Sequence, residues 1–303
     1  MAYDTLFYEK IQKREKVYLM NKSYIKYIFA LLLFGSNGIV ANKIMLSSIE
    51  IVFWRTLIGS LFLIILFTIN KEKFTFLEKK KEVLPLGISG VAMGASWMFL
   101  YEAYQQIGVS MASLCYYCGP IIVMILSPIL FHEKLTKQKV IGFIIVLFGI
   151  VLVNGQLNTK SNTWGLFCGM MSAIMYAFMV IFNKKAEHIV GLENSMLQLV
   201  FSFLTVLCFV GIHSGLVMPS SNDLVPILVL GIFNTGIGCY FYFSSIGKLP
   251  IQTVAICGYL EPLSAVIFAV IFLKEIMSIS QIIGAIFIIS GAIFCEVCHM
   301  KET

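Results

Sequence analysis

A glutamate near the middle of a long apolar run is the first feature of this sequence with chemical consequence. Glu261 stands one residue from the centre of the stretch 251–273, IQTVAICGYLEPLSAVIFAVIFL. A charged side chain at that depth costs at least about 2.5–3.5 kcal/mol to insert into a bilayer, and such residues usually face a cavity. The adjacent Pro262 has no amide hydrogen and frees a carbonyl one turn earlier, near Gly258, so carboxyl and backbone acceptors can converge there. A carboxyl so placed can exchange protons or hold a cationic substrate group; the alternative is a protonated acid hydrogen-bonded to a neighbouring helix.

Two more ionisable groups lie inside apolar runs, Arg55 in 49–69 and Glu102 in 84–106. If consecutive runs cross in opposite senses, both fall in the outer leaflet at similar depth. They are expected to form an ion pair, with a substrate or gating role as the alternative. Asn37, Trp97, Tyr101, Tyr116, Tyr117, Tyr176, Asn234, Tyr240 and Tyr259 lie at mid-depth in the runs expected to line a cavity. One acid among many aromatics suits an amine or an amphiphilic zwitterion, through carboxylate and cation–π contacts. For any one tyrosine, packing against neighbours or lipid competes with a site role.

Catalytic motifs do not assemble. Asp4 and Asp223 are the only aspartates and lie outside or at the edge of the runs, so no intramembrane aspartyl dyad forms. His132-Glu133 begins like a zinc-protease helix, but Thr136 follows where the motif needs histidine. Cys295 to His299 matches a haem-attachment string by letter, on the expected cytoplasmic side where that chemistry does not occur. Cys115 and Cys118 share a helix face and read as small packing residues. No glycine-rich phosphate loop is present, no metal or cofactor is implied, and ATP coupling would need a separate subunit. The expectation is a protein that is not an enzyme.

The elements that position these residues follow from composition. Of 303 residues, 59% are hydrophobic and 13% charged, and the mean hydropathy is +0.90, too apolar for a soluble globule. A membrane-crossing helix needs about 20 apolar residues. Ten runs qualify, at 24–45, 49–69, 84–106, 109–131, 138–154, 163–183, 194–213, 223–245, 251–273 and 279–298. They lack the alternation of barrel strands. The net charge of +6 does not mark a nucleic-acid partner, because Lys and Arg sit in short stretches between runs. With a cytoplasmic N-terminus, 18 of the 22 Lys and Arg fall on the cytoplasmic side and three on the other, with Arg55 inside a span. Both termini are therefore expected inside, in a plasma (inner) membrane. The segment 1–23 reads as a cytoplasmic tail rather than the front of a cleaved signal, since a cleaved first run would leave an odd number of spans.

The chain also repeats itself. Shifting it by 142 residues brings Tyr117 onto Tyr259, Pro120 onto Pro262, Glu133 onto Glu275, Gly142 onto Gly284 and Gly149 onto Gly291 without a gap. Gly94 meets Gly236 at the same offset, while Asn42-Lys43 meets Asn183-Lys184 at 141 and Glu50 meets Glu193 at 143. Spans 1–5 thus recur in spans 6–10. Five is odd, so the second copy enters the membrane in the opposite sense, the arrangement of inverted-repeat secondary transporters with a site near the midplane. Glu261 has Gly119 as its counterpart, so the repeat pattern does not itself require the acid.

Several segments resemble one family. FGSNGIVANK in span 1, with Phe34 where Trp is commoner, Tyr101-Glu102-Ala103 followed by GVSMASLCYYCGP, and WGLFCGMMSAIMYAFMVIFNKK in span 6 resemble a ten-span, two-EamA-domain member of the drug/metabolite transporter superfamily, over about residues 24–298. The resemblance implies an all-α integral membrane fold with EamA-like repeats at 24–154 and 163–298. It also implies a secondary transporter of small organic molecules, often an exporter, with a cavity lined mainly by spans 1, 3, 4, 6, 8 and 9. It leaves the substrate open. The expected binding residues are Asn37, Trp97, Tyr101, Tyr117, Tyr176, Asn234, Tyr259 and Glu261, with a small-molecule substrate, the lipid bilayer and, as candidate coupling ion, protons as partners. The competing class is a membrane sensor or scaffold that keeps the transporter fold without flux.

Overall fold

The computed structural model describes residues 22–72, 74–154, 163–213, 218–274 and 278–300. Glu275, Lys160, most of the 1–23 segment, and the side chains of Cys295, Cys298 and His299 fall outside the described residues. Among the described residues the chain is helical, with no strand. We number the helices α1 (Lys22–Ala41, broken at Ser36), α2 (Ser48–Ile69), α3 (Lys80–Tyr116), α4 (Cys118–Phe131) and α5 (Lys137–Asn154). There follow α6 (Thr163–Lys185), α7 (Gly191–His213), α8 (Ser221–Ile246), α9 (in two pieces, Ile251–Cys257 and Leu260–Leu273) and α10 (Ile279–Met300).

Seven of these are long and apolar enough to cross a membrane, those in α1, α2, α3, α6, α7, α8 and α9. Cys118–Phe131 and Ile282–Phe294 are shorter apolar helices. Large side chains such as Ile25, Ile65, Ile125, Phe148, Phe233 and Ile286 remain exposed on outer faces, the surface expected where lipid is the solvent. Polar residues at helix starts close the ends: Ser47 and Glu50 form a reciprocal capping box on α2, and Ser220 and Asp223 form one on α8, where Asp223 also accepts from the Met45 amide at 2.7 Å.

The expected boundary between the runs 84–106 and 109–131 carries no loop, because the residues from Lys80 to Tyr116 all keep helical turns, though not along one axis. The run nevertheless reverses direction. Gly169 lies against both Ala103 and Cys115, which a straight helix would hold about 18 Å apart, so the chain folds back between them. The helical break comes at Tyr117, three residues before Pro120. The break in α9 comes at Gly258–Tyr259, just before Pro262. Each proline removes a donor from the first turn of the piece that follows. At the second break Glu261 N donates to Gly258 O at 3.1 Å, so the freed carbonyl is satisfied locally, as burial in lipid demands.

Close packing depends on glycines. A Cβ on Gly149 would sit 2.7 Å from the Gly284 carbonyl, and one on Gly291 would sit 2.8 Å from the Gly142 carbonyl. Val146 and Ile288, both fully buried, fill the space beside them. These two crossings of α5 and α10 are images of each other under the 142-residue offset. Tyr117 and Tyr259, also an offset pair, pack ring to ring at 6.3 Å, and the Tyr259 hydroxyl donates to the Tyr117 carbonyl at 2.8 Å. The Glu133 carboxylate accepts from the Ile251 and Gln252 amides at 2.8 and 3.3 Å, capping the first piece of α9.

Gly149→Ala and Gly291→Ala are expected each to destabilise the protein by about 1–3 kcal/mol, because backbone and not a flexible side chain must give way. Gly247→Ala, which has open space and φ −61°, serves as the neutral control. Thermal unfolding midpoints in detergent check this, and equal midpoints for all three would contradict the close crossing.

Candidate functional site

Where α1, α2, α3, α6, α8 and α9 meet they leave a cavity with about 440 Å³ of empty space, its open mouth included. Six lining residues come from the first half of the chain, Phe34, Asn37, Arg55, Met93, Trp97 and Tyr116. Six come from the second, Tyr176, Met179, Cys239, Tyr242, Phe243 and Glu261. The walls are aromatic: Phe34 and Tyr27 pack on Tyr242 at 5.8 and 5.3 Å, and Tyr116 packs on Tyr176 at 5.3 Å. The Tyr176 and Tyr242 hydroxyls lie 3.4 Å apart.

Arg55 and Glu261 are the charged residues of this lining. Arg55 is 3% exposed; its Nε donates to Thr235 Oγ1 at 2.9 Å and its guanidinium lies over the Trp97 ring at 4.7 Å. Of its five N–H groups, one has a hydrogen-bond partner among the described residues. The expected pairing of Arg55 with Glu102 is not what the structure has. Glu102 Oε1 accepts from Gln106 Nε2 at 3.0 Å and from Trp164 Nε1 at 3.2 Å, facing α6 rather than α2. Similar depth in two helices does not fix which faces meet.

Three departures from regular helix aim the lining. α1 is interrupted at Ser36, between Phe34 and Asn37. Residues Leu230–Ile237 of α8 form a π-helix, a wide turn frequent at functional sites. The third departure is the α9 break, which directly precedes Glu261. The first two are tied together, since Asn234 Nδ2, within the π segment, donates at 2.7 Å to both the Leu33 carbonyl and Ser36 Oγ. Thr235, the next residue, holds Arg55 and donates to the Leu230 carbonyl at 2.9 Å, five residues back. Glycines allow this, as Cβ atoms on Gly59, Gly231 and Gly236 would collide with Thr235, Ile58 and Phe62.

Of the expected binding residues, Asn37, Trp97, Tyr176 and Glu261 line the cavity together, and Tyr116 joins them. Asn234 instead holds the α1 break. Tyr117 and Tyr259 pack on each other beside Phe143, and Tyr259 is 0% exposed. Tyr101, one turn beyond Trp97, stacks edge-on with Tyr104 at 5.4 Å, and Tyr240 lies under Lys26 Nζ. Three of the six lining residues missed in the sequence lie about one helical turn from one found: Phe34 from Asn37, Met93 from Trp97, Met179 from Tyr176. Cys239, Tyr242 and Phe243 had a different obstacle, because the π segment turns the following face of α8 away from Tyr240.

Comparison with known proteins agrees with this architecture. The chain matches the EamA-like transporter family twice, over residues 21–155 and 163–296, and belongs to it. It is thus a membrane transporter-family protein. It is 26% identical to the uncharacterized transporter YxxF of Bacillus subtilis (strain 168), covering 88% of this chain and 87% of the relative. It is also 26% identical to the uncharacterized transporter YetK of the same strain, covering 100% and 95%. Protein PecM of Dickeya dadantii (strain 3937) is 23% identical over 69% of this chain and 72% of its own. A solved crystal structure superposes with a TM-score of 0.79 at 16% identity, covering 91% of this chain and 98% of that one, which shows the shared fold.

Thr235→Val is expected to destabilise the protein by about 1–3 kcal/mol, since it leaves the buried Arg55 Nε without its acceptor, whereas Thr235→Ser keeps the hydroxyl and most of the stability. Unfolding midpoints of the two variants in detergent decide it; equal losses would mean that the hydroxyl does not hold the arginine.

Proposed function

We propose that this chain is a secondary active transporter of small organic metabolites, amines or amino acids, working by alternating access about the central cavity. In this reading ten helices cross the plasma membrane as two inverted five-helix repeats, with both termini cytoplasmic, and transport is outward with protons as the coupling ion. The observation that carries it is the composition of the cavity wall, six residues from each of the two family-matched halves. A site shared equally between halves changes its exposure when one half rocks against the other. The reciprocal crossings of Gly149 with Gly284 and Gly291 with Gly142, and the Tyr117–Tyr259 contact, support a pseudo-two-fold axis between the halves.

Glu261 is the residue assigned to coupling or cation binding. It faces the cavity directly after a helix break, where its protonation responds to what occupies the space beside it.

Glu261→Gln keeps size and hydrogen bonding while removing the charge. The variant is expected to fold and insert, and to lose at least tenfold in pH-gradient-driven flux or in affinity for a cationic ligand, equivalent to about 1.4 kcal/mol. Purified protein in liposomes, screened with labelled amines and amino acids, measures both. Normal flux by the variant across a range of pH would make Glu261 structural, and absence of flux by the parent protein with every solute would favour a non-transporting sensor.

A further inference from the structure

Between the cavity and the face that carries the start of α1, the helices pack shut. Along α1, Tyr27, Ala30 and Leu31 precede the lining residue Phe34 and are at most 1% exposed. Along α8 and the turn after it, Ile246 and Leu249 lie beyond the lining residues Tyr242 and Phe243 and are equally buried. All seven residues of the first piece of α9, Ile251–Cys257, are at most 6% exposed, and Ile251, Val254, Ala255 and Cys257 join the same apolar cluster. Side chains of the first half hold this piece. The Tyr27 hydroxyl donates to the Val254 carbonyl at 2.8 Å, Ser127 Oγ accepts from Gln252 Nε2 at 3.0 Å, and the Glu133 carboxylate accepts from the Ile251 and Gln252 amides. Lys184, from the same half as α9, donates to the Leu249 and Gly247 carbonyls at 2.5 and 3.2 Å. Gln252 Oε1 and Thr253 Oγ1 are buried with no hydrogen-bond partner among the described residues. Burying such acceptors unpaired costs free energy that apolar residues in their place would avoid.

We propose that the first piece of α9 is the gate at the cytoplasmic face, that Glu133 is its latch, and that Gln252 and Thr253 line the water-filled path when it opens. This rests on the reading of the chain as an alternating-access transporter and names the element that closes it on one side. Rocking of one half against the other keeps the bonds within a half and parts those between halves. Lys184 therefore keeps its carbonyls, while Tyr27, Ser127 and Glu133 release α9. Water entering the gap then satisfies Gln252 Oε1 and Thr253 Oγ1, so two groups that are costly in the closed state favour the open one. Glu133 opposes them, because its carboxylate must give up two charge-assisted bonds to first-turn amides. The break at Gly258–Tyr259 separates the piece from Glu261, which lets it tilt without carrying the acid out of the cavity.

The test uses the full-length protein with Thr253→Cys, which exchanges an unpartnered hydroxyl for a thiol, in liposomes of one orientation. A membrane-impermeant maleimide is added to the face bearing Glu133 and Lys184, and peptide mass reads each cysteine separately. Cys168 of α6, 0% exposed, reports general loosening of the bundle. The thiol at position 253 is expected to react from that face, and adding Glu133→Ala is expected to speed the reaction at least tenfold while Cys168 stays protected. If Glu133→Ala does not insert, Glu133→Gln, which keeps an acceptor oxygen but not the charge, is expected to speed it at least threefold. No reaction at position 253 from that face, an unchanged rate without the Glu133 carboxylate, or equal acceleration at Cys168 would overturn the proposal. Flux measured on the unsubstituted protein separates the two readings. Glu133-controlled labelling without flux defeats transport and leaves the gate, whereas flux with position 253 unreactive defeats the gate and leaves transport.

Discussion

Removing a charged side chain from water is expensive, and a bundle in lipid has no water to spare for it except inside a cavity. This chain places an arginine that is 3% exposed and a glutamate in the same internal space, and much of the local architecture serves that placement. The guanidinium is held by a hydroxyl on one side and an indole face on the other, Thr235 and Trp97. The hydroxyl stands where α8 widens into a π-helix, and the preceding residue, Asn234, satisfies the carbonyl exposed where α1 breaks. The glutamate follows a third break, in α9. Irregular backbone inside a membrane protein is tolerated where it lines a cavity, and here the irregular segments converge on one.

The frame around the cavity is stiff for a different reason. Without a hydrophobic drive between helices in lipid, association depends on close backbone approach, and glycines at 59, 94, 149, 231 and 291 provide it. Contacts at α5 and α10 pair each glycine with the counterpart of the other, the pattern an internal two-fold produces. In the proposed mechanism these crossings and the Tyr117–Tyr259 contact lie between the halves, along the seam about which one half rocks against the other. Glu133, capping α9 from the end of α4, is a link of the same kind between the two halves.

Helix positions and the family were legible because apolar runs, lysine placement and the 142-residue offset are properties of the sequence itself. Glu261 was legible for the same reason, since an acid at that depth needs an explanation. What stayed hidden was rotation about helix axes. Tyr101 stands one turn beyond Trp97 and Tyr117 next to Tyr116, yet Trp97 and Tyr116 line the cavity and the other two do not, a difference composition does not carry. Arg55 was expected to find Glu102, and instead faced Thr235, because α3 turns its acid toward Trp164 of α6. The π segment left a trace in GIFNTGIG, three glycines around an Asn-Thr pair, but nothing in that string fixes the wider turn that moves Cys239, Tyr242 and Phe243 onto the cavity wall.

Cys239 offers the most direct test of alternating access, because it lines the cavity and is 1% exposed. A variant retaining it as the sole cysteine, reconstituted in one orientation, can be treated with a membrane-impermeant thiol reagent added to either face. The account predicts modification from both faces, with a transported solute changing the ratio of the two rates. Reaction confined to a single face under every solute and pH condition would contradict it.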